Sequence, residues 1–417
     1  MLGLEAVFSQ NYVPYTKQEY ALYLLLKIIP QGNQLVSRLP LNISLVIDNS
    51  GSMYGDDHRI YMALEAATQV MRMLGQEDII SVISFADNAQ VVLPPTAGSD
   101  QLNISRAINS ILQMPSGGTC LPMAMQTAAA QLKPYISQWR TNRVLILTDG
   151  NTIDEEWCPY LAGIEAANGI SFSTFGLGED WNENLLRAVS DTSGGNWYYI
   201  PTPGDINKIF QEELGLLLTT AYNNLRLELK FFQNDTVKEI KIVSPELKDI
   251  QYQPGADIRL KEFSLGSVQK DRPLYLLLTL SLVSREPGRY NIALAKLLYD
   301  LPGQPQQQVG PQALVVGYVT DPALIYPNGE VLRWVDDAQV DNLVRKATQL
   351  AASGDTRKAT QLFENARNIS DKRGDRKKTQ LIIDALDELG VTGQVSRKTQ
   401  LHTLNQSRKT NIFLDNN

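Results

Sequence analysis

Between residues 41 and 218, short apolar runs alternate with stretches of helical periodicity, and this alternation limits the folds open to the chain more than any other feature. The runs 43–47, 79–85, 144–147 and 171–176 read as strands, with a further strand at 197–200. Helical patterns fill the intervals at 60–73, 102–113, 122–132, 160–168 and 183–190, and a last helix over 206–221 closes the segment. Strands that are apolar on both faces must be covered on both, which predicts an α/β, doubly wound and mostly parallel sheet between two helical layers. Ligands of such sheets bind beyond the carboxyl ends of the strands.

At one of these ends the apolar run Leu45-Val46-Ile47 stops abruptly at Asp48, followed by Asn49, Ser50, Gly51 and Ser52. Alternation places Asp48, Ser50 and Ser52 on one side, with Gly51 allowing a tight turn. One carboxylate and two hydroxyls form a hard-oxygen cluster that suits Mg²⁺, which prefers octahedral oxygen and keeps several waters. The same residues would serve equally as a plain polar turn, so the motif gains weight only from what accompanies it.

Two further segments do accompany it. Ser116-Gly117-Gly118-Thr119 lies just before a predicted helix, and Leu145-Ile146-Leu147-Thr148-Asp149-Gly150 is an apolar strand ending in Thr-Asp-Gly. With Asp-x-Ser-x-Ser, these elements resemble the metal-ion-dependent adhesion site (MIDAS) of von Willebrand factor type A (VWA) domains, as found in bacterial VWA proteins. The resemblance covers residues 41–221. It implies a Rossmann-like sheet and a metal set of Asp48, Ser50, Ser52, Thr119 and Asp149. It also implies that Ser50 and Ser52 coordinate directly, that Asp48 and Asp149 act directly or through water, and that Thr119 joins in the ligand-bound arrangement. Mg²⁺ is the expected ion, with Mn²⁺ or Ca²⁺ as alternatives. Two carboxylates and three hydroxyls leave residual positive charge and an open position on a divalent cation, which can accept a partner's carboxylate. A bound metal could also activate water, but no obvious general base accompanies the motif. The expectation is therefore a binding protein and not an enzyme.

The rest of the chain sets the domain plan. Residues 1–40 look like β-structure, and 222–320 hold short strands separated by Gly, Pro and Asp turns, the spacing of a β-sandwich. The first segment is expected to join that sandwich, making 41–221 an insertion. Residues 321–390 read as a helical segment with helices at 335–352, 357–369 and 377–389, the last stopped by Gly390, and KATQL occurs at both 346–350 and 358–362. Asp355 is a candidate N-cap. Residues 391–417 are polar and expected to be disordered. Within them, Ser396-Arg397-Lys398-Thr399 and Ser407-Arg408-Lys409-Thr410 resemble kinase substrates, which makes Thr399 and Thr410 candidate phosphorylation sites.

Composition narrows the function classes. A net charge of −7 disfavours a general nucleic-acid surface. Two histidines leave little room for zinc sites or histidine-based catalysis, and Cys120 and Cys158 read as unpaired thiols. No run approaches the ~20 apolar residues of a membrane helix, and the N-terminal stretch lacks a signal-peptide pattern, so a cytoplasmic location is expected. Asp87 is expected to support the metal loops. His58 and His402 read as solvated. The acidic loop Asp154-Glu155-Glu156 and Trp157 are candidates for a rim that contacts a partner. The resemblance implies an adaptor that captures an acidic protein partner, by association a MoxR-type AAA+ ATPase or a Ser/Thr kinase system. The alternative is a VWA-type subunit of an ATPase-coupled chelatase; the chain has no phosphate-binding Gly-x-x-x-x-Gly-Lys-Ser/Thr loop of its own. A metal-dependent hydrolase is less favoured.

Overall fold

The structure, a computed structural model, describes residues 1–31, 38–55, 58–137, 139–149, 151–179, 181–250, 257–301 and 304–410, the side chain of 305 excepted. Three strands come first: β1 (Leu2–Phe8), β2 (Tyr12–Pro14) and β3 (Tyr20–Pro30). The α/β segment follows as β4 (Leu41–Asp48), α1 (Arg59–Met71), β5 (Ile79–Phe85), β6 (Ala89–Ala97), α2 (Gln101–Ser110), α3 (Leu121–Leu132), β7 (Thr141–Thr148), α4 (Trp157–Ala167), β8 (Ile170–Leu177), α5 (Glu183–Ser193), β9 (Trp197–Ile200) and α6 (Ile206–Leu218). Next come β10 (Thr220–Phe231), β11 (Thr236–Ser244), β12 (Lys248–Asp249), β13 (Leu260–Gln269), β14 (Leu274–Leu282), β15 (Gly288–Leu301) and β16 (Gln304–Val319). Four helices complete the described chain: α7 (Gly329–Ala352), α8 (Thr356–Lys372), α9 (Arg376–Thr392) and α10 (Arg397–Arg408).

Among the described residues the α/β segment forms a six-stranded sheet in the order β6-β5-β4-β7-β8-β9. All neighbours are parallel except β5 and β6. Every residue of the central strand β4 is buried. Its pleat sends Ile43, Leu45 and Ile47 into a core shared with α1, α2 and α6. Val46 points the other way, into a core shared with α3, α4 and α5. This is the doubly wound, mostly parallel sheet that unbroken apolar strands require. The antiparallel edge strand β6 was not legible in advance, because Pro94 and Pro95 interrupt its pattern. Prolines are tolerated there because an edge strand has one unpaired side.

The two sheets β1-β3-β14-β11-β12 and β13-β10-β15-β16-β2 face each other across an apolar core that includes Leu24, Leu26, Leu227, Leu229, Leu276 and Leu278. Strands from before and after the α/β segment thus share one sandwich, with β3 paired along its length to β14. Helix α7 covers the outer face of the first sheet through Val331, Trp334 and Ala338.

The C-terminal region departs from its expected form. The tail placed in disorder at 391–417 contains α10, and only 411–417 lie outside the described residues. Its polar composition hid the docking because the helix is held largely by charge. Leu401 alone enters the core of the α/β segment, and Leu404 enters the helical core. Arg397 bonds the carbonyl oxygens of Glu179 and Trp181 and pairs with Glu183. Arg408 pairs with Asp191 at 3.0 Å and donates to the Leu247 carbonyl. His402, expected in solvent, is half-buried edge-on against Tyr199. Helix α9 runs through Gly390 and ends at Gly393, whose φ of 72° supplies the left-handed cap. Asp355 does cap α8, accepting from the Lys358 amide.

An ion-pair network joins the three parts. Asp341 of α7 receives Arg187 of α5 at 3.4 Å, Arg345 at 3.0 Å and the Ser407 hydroxyl at 2.7 Å. Arg345 also reaches Asp249 of the sandwich at 2.9 Å, where Lys241 pairs as well. Burial works to raise the Asp249 carboxyl, but Arg345 and Lys241 outweigh it and hold it down at about 2. No helix among the described residues is long and apolar enough to cross a membrane.

Candidate metal centre

The site is built at the carboxyl ends of β4 and β7, which pair in parallel with Ile47 opposite Leu147. That register sets Asp48 beside Thr148, whose hydroxyl donates to Asp48 Oδ2 at 2.5 Å. The other carboxylate oxygen, Asp48 Oδ1, accepts from the Ser50 amide at 2.8 Å. This aspartate-to-i+2 bond folds the chain back on itself. A short 3₁₀ turn over Gly51–Tyr54 follows at once. The three residues 48, 50 and 52 therefore converge through a turn and not through strand alternation.

Their oxygens meet those of the second aspartate. Ser50 Oγ and Ser52 Oγ lie 3.0 Å apart, and Ser52 Oγ donates to Asp149 Oδ1 at 2.7 Å. Asp48 and Asp149 are fully buried as residues, and Ser50 nearly so, while Ser52 remains exposed. Burial pushes the Asp48 carboxyl up to about 6, against the lowering effect of the bonds from Ser50 and Thr148. A buried carboxylate with this much desolvation is stabilised by an adjacent positive charge.

The third segment docks on the first. The Gly51 amide donates to the Gly117 carbonyl at 3.0 Å, and Asn49 Nδ2 donates to the Pro115 carbonyl at 3.2 Å. Tyr54 in turn donates to Asn49 Oδ1 at 2.6 Å. Asp87, at the turn after β5, accepts from the Gly118 amide at 2.9 Å. A Cβ at Gly117 would sit 2.0 Å from Asp87 Oδ2, so the close approach requires glycine there. Thr119 is half-buried at the end of this loop, and its carbonyl accepts from the Ile153 amide and the Thr152 hydroxyl. The Thr152 hydroxyl also accepts from the Leu121 amide at 2.8 Å, tying the loop after β7 to the start of α3. Hydrogen bonds thus link 48, 50, 52 and 149 side chain to side chain or through one amide, while Thr119 is brought in by its backbone.

Several participants carried no recognised signal in the sequence. Thr148 fixes Asp48, and Asn49, an unspecified position of Asp-x-Ser-x-Ser, is a bridge between loops. Arg59, the first residue of α1, places Nη1 2.9 Å from Asp149 Oδ2. Asn49 could have been noticed as an amide adjoining a buried strand end; Arg59 could not, since its partner is 90 residues away.

The other candidates fall as follows. Ile153 and Trp157 are 61% and 53% exposed, and Trp157 stacks edge-on with the exposed Tyr160. Glu155 accepts from Asn182, so this loop is anchored to the cap of α5. Cys120 and Cys158 are both free and buried. Burial, followed by Glu155, pushes the Cys158 thiol up to about 12, which keeps it protonated and unreactive. His58 is exposed in a left-handed conformation against Tyr61. The Thr399 hydroxyl donates to Glu388 at 2.6 Å, and that of Thr410 to the Pro245 carbonyl at 3.0 Å.

The sheet order and its two helical layers are those of the VWA fold, and residues 43–151 match the family described as von Willebrand factor type A domain. An uncharacterized protein of Synechocystis sp. is 30% identical over 279 residues, and the chain spans 64% of that relative's length, just under two thirds. The whole chain superposes on a von Willebrand factor type A protein from Catenulispora acidiphila with a TM-score of 0.85, 18% identity and coverage of 98% of this chain and 97% of the other. A VWA2 protein, the ArnB paralog of Sulfolobus acidocaldarius, matches with a TM-score of 0.63, 15% identity and 98% coverage of each chain. At these identities the two structures speak for the fold.

Proposed function

We propose that this chain is a protein-binding scaffold whose VWA domain captures a partner carboxylate through a divalent cation, Mg²⁺ by preference. The observation that carries the reading is the convergence of Asp48, Ser50, Ser52 and Asp149 at the paired ends of β4 and β7, with neighbouring oxygens 2.7–3.0 Å apart. Every donor in the set is hard oxygen, the chemistry Mg²⁺ selects. Two carboxylates face neutral hydroxyls, so the set leaves a divalent ion with positive charge to share. Asp48, Ser50, Ser52, Thr119 and Asp149 would hold the ion, and when bound it supplies an open, positively charged position for one carboxylate oxygen.

The residues around it do the positioning. Thr148 and the Ser50 amide fix both oxygens of Asp48. Asp87 and Asn49 hold the Gly117–Gly118 loop against the Asp48 turn. The exposed Ile153 and Trp157, on the loop that touches Thr119, offer apolar contact beside an acidic stretch, so a partner with a carboxylate flanked by apolar side chains fits best. The hydroxyls and carboxylates are engaged with one another in a manner suited to holding an ion, and the site is read as one of binding and not of turnover.

Capture of partners on immobilised protein, with Mg²⁺ and with EDTA, tests the reading. Capture lost in EDTA and in Asp48→Ala, and retained in Val391→Ala, supports it. Capture indifferent to both EDTA and Asp48→Ala contradicts it.

A further inference from the structure

We infer that Arg59 is a built-in counter-ion that competes with the divalent cation for Asp149 and thereby sets the metal affinity of the site; this rests on the metal-binding reading above. Asp149 is fully buried, and its two oxygens are taken by different groups: Oδ1 by the Ser52 hydroxyl and Oδ2 by the Arg59 guanidinium at 2.9 Å. The Arg59 side chain is 20% exposed, against 0% for that of Asp149, so it approaches the site from its rim.

Its position is unfavourable on local grounds. Arg59 opens α1, where the partial positive charge of the helix end repels a cation and favours an acidic residue. His58 occupies the N-cap in a left-handed conformation and makes no side-chain capping bond. The helix end disfavours a guanidinium here, and the contact with Asp149 offsets that cost. The opposite wall makes room for it. Gly178 has a φ of 78°, and a Cβ there would stand 3.3 Å from Arg59 Cζ.

The electrostatic consequence has a definite sign. A buried carboxylate without a positive neighbour is costly, and Arg59 relieves that cost when no metal is bound. A divalent ion offers Asp149 the same relief, so the two cations are alternatives for one carboxylate and repel each other when both are present. Removing the charge of Arg59 leaves Asp149 poorer without metal and better for metal. The pair raises the metal concentration at which the site loads and holds the loops in place until it does.

The test uses the full chain stripped of metal and titrated with MgCl₂ by calorimetry at constant ionic strength. Arg59→Gln is expected to bind Mg²⁺ about tenfold more tightly than the wild type. Arg59→Met, which keeps an apolar stem, is expected to shift in the same direction. In EDTA both variants should melt below the wild type, and Mg²⁺ should raise their melting temperature by more than it raises that of the wild type. A variant that folds only with Mg²⁺ also supports the competition. Wild-type or weaker affinity in the variants, or a variant that stays unfolded with Mg²⁺, overturns it. Failure of the underlying reading looks different: the wild type itself would show no Mg²⁺ binding, or Asp48→Asn would bind as the wild type does.

Discussion

Leu401→Ala tests whether the C-terminal helix belongs to the fold. Leu401 is 0% exposed and sits in the same apolar cluster as Trp181, Leu185, Trp197 and Tyr199 of the VWA domain. Truncation removes its buried branch and leaves a void between a helix and a sheet. The surroundings have little freedom to collapse into that void. Trp181 is itself buried, with its indole NH bonded to the Gly178 carbonyl at 2.9 Å, and Arg397 pins α10 one turn earlier. Leu→Ala at such sites costs about 2–5 kcal/mol, and the rigid surroundings place this one near ~3 kcal/mol. For a unit the size of the VWA domain that corresponds to a fall in Tm of about 6–12 °C. Circular dichroism melts with a matched surface control, Val391→Ala at a residue 87% exposed, give the comparison. The control should stay within ~0.5 kcal/mol of the wild type. A Leu401→Ala melt within 1 °C of that control would refute the docking of α10, as would an unchanged melt after deletion of 397–417.

Three further outcomes follow from the same contacts. Gly117→Ala drives a Cβ into Asp87 and breaks its bond to the Gly118 amide; a charged hydrogen bond of this kind is worth about 1.5–3 kcal/mol, so the variant should melt lower and bind Mg²⁺ more weakly, and unchanged values in both would show that the loop does not need Asp87. The depressed carboxyl of Asp249 contributes stability that is fully present above its unfolded value of about 4 and is lost as pH falls toward 2. Acid titration of stability should therefore be flatter over that window in Asp249→Asn than in the wild type, and identical slopes would remove Asp249 from the network. Arg408→Ala removes one of the two arginines on Asp191, Arg187 staying at 3.3 Å, and takes away the Nε donor to the Leu247 carbonyl; a loss of about 1.5–3 kcal/mol is expected, as for a hydrogen bond to a charged group, against none if the pair is ornamental.

The sheet and the outline of the site were legible because they rest on local pattern. Unbroken apolar strands such as β4 and β7 allow few architectures, and a small polar residue directly after such a strand marks the strand's end as a ligand position. The Thr-Asp-Gly segment announces a loop at the end of β7, which pairs with β4, and the Gly-Gly-Thr segment before α3 docks on the Asp48 turn through the Gly51 amide and the Gly117 carbonyl. What escaped was set by contacts distant in sequence. Asp48, Ser50 and Ser52 looked like an alternating series, yet the Ser50 amide bonds Asp48 and turns the chain before alternation can continue. Arg59 lies just outside the helix expected at 60–73, yet it opens α1 and reaches Asp149, 90 residues away. The tail failed for a related reason: residues 397–408 are polar, and polarity signals disorder only when the charges face water. Here Arg397 and Arg408 face carboxylates and carbonyls of other elements, and a single leucine supplies the contact with the VWA core. The edge strand β6 was hidden by two prolines that an edge tolerates.

The central claim is that Asp48, Ser50, Ser52, Thr119 and Asp149 make a divalent-cation site. Calorimetric titration of the metal-stripped chain with MgCl₂, in parallel with Asp48→Asn, tests it most directly. Asp48→Asn keeps the volume of the side chain and its place beside Thr148 while removing the charge. One saturable event per wild-type chain, absent in Asp48→Asn at an unchanged fold by circular dichroism, is the predicted result. No saturable heat in the wild type, or the same isotherm in both proteins, contradicts the account.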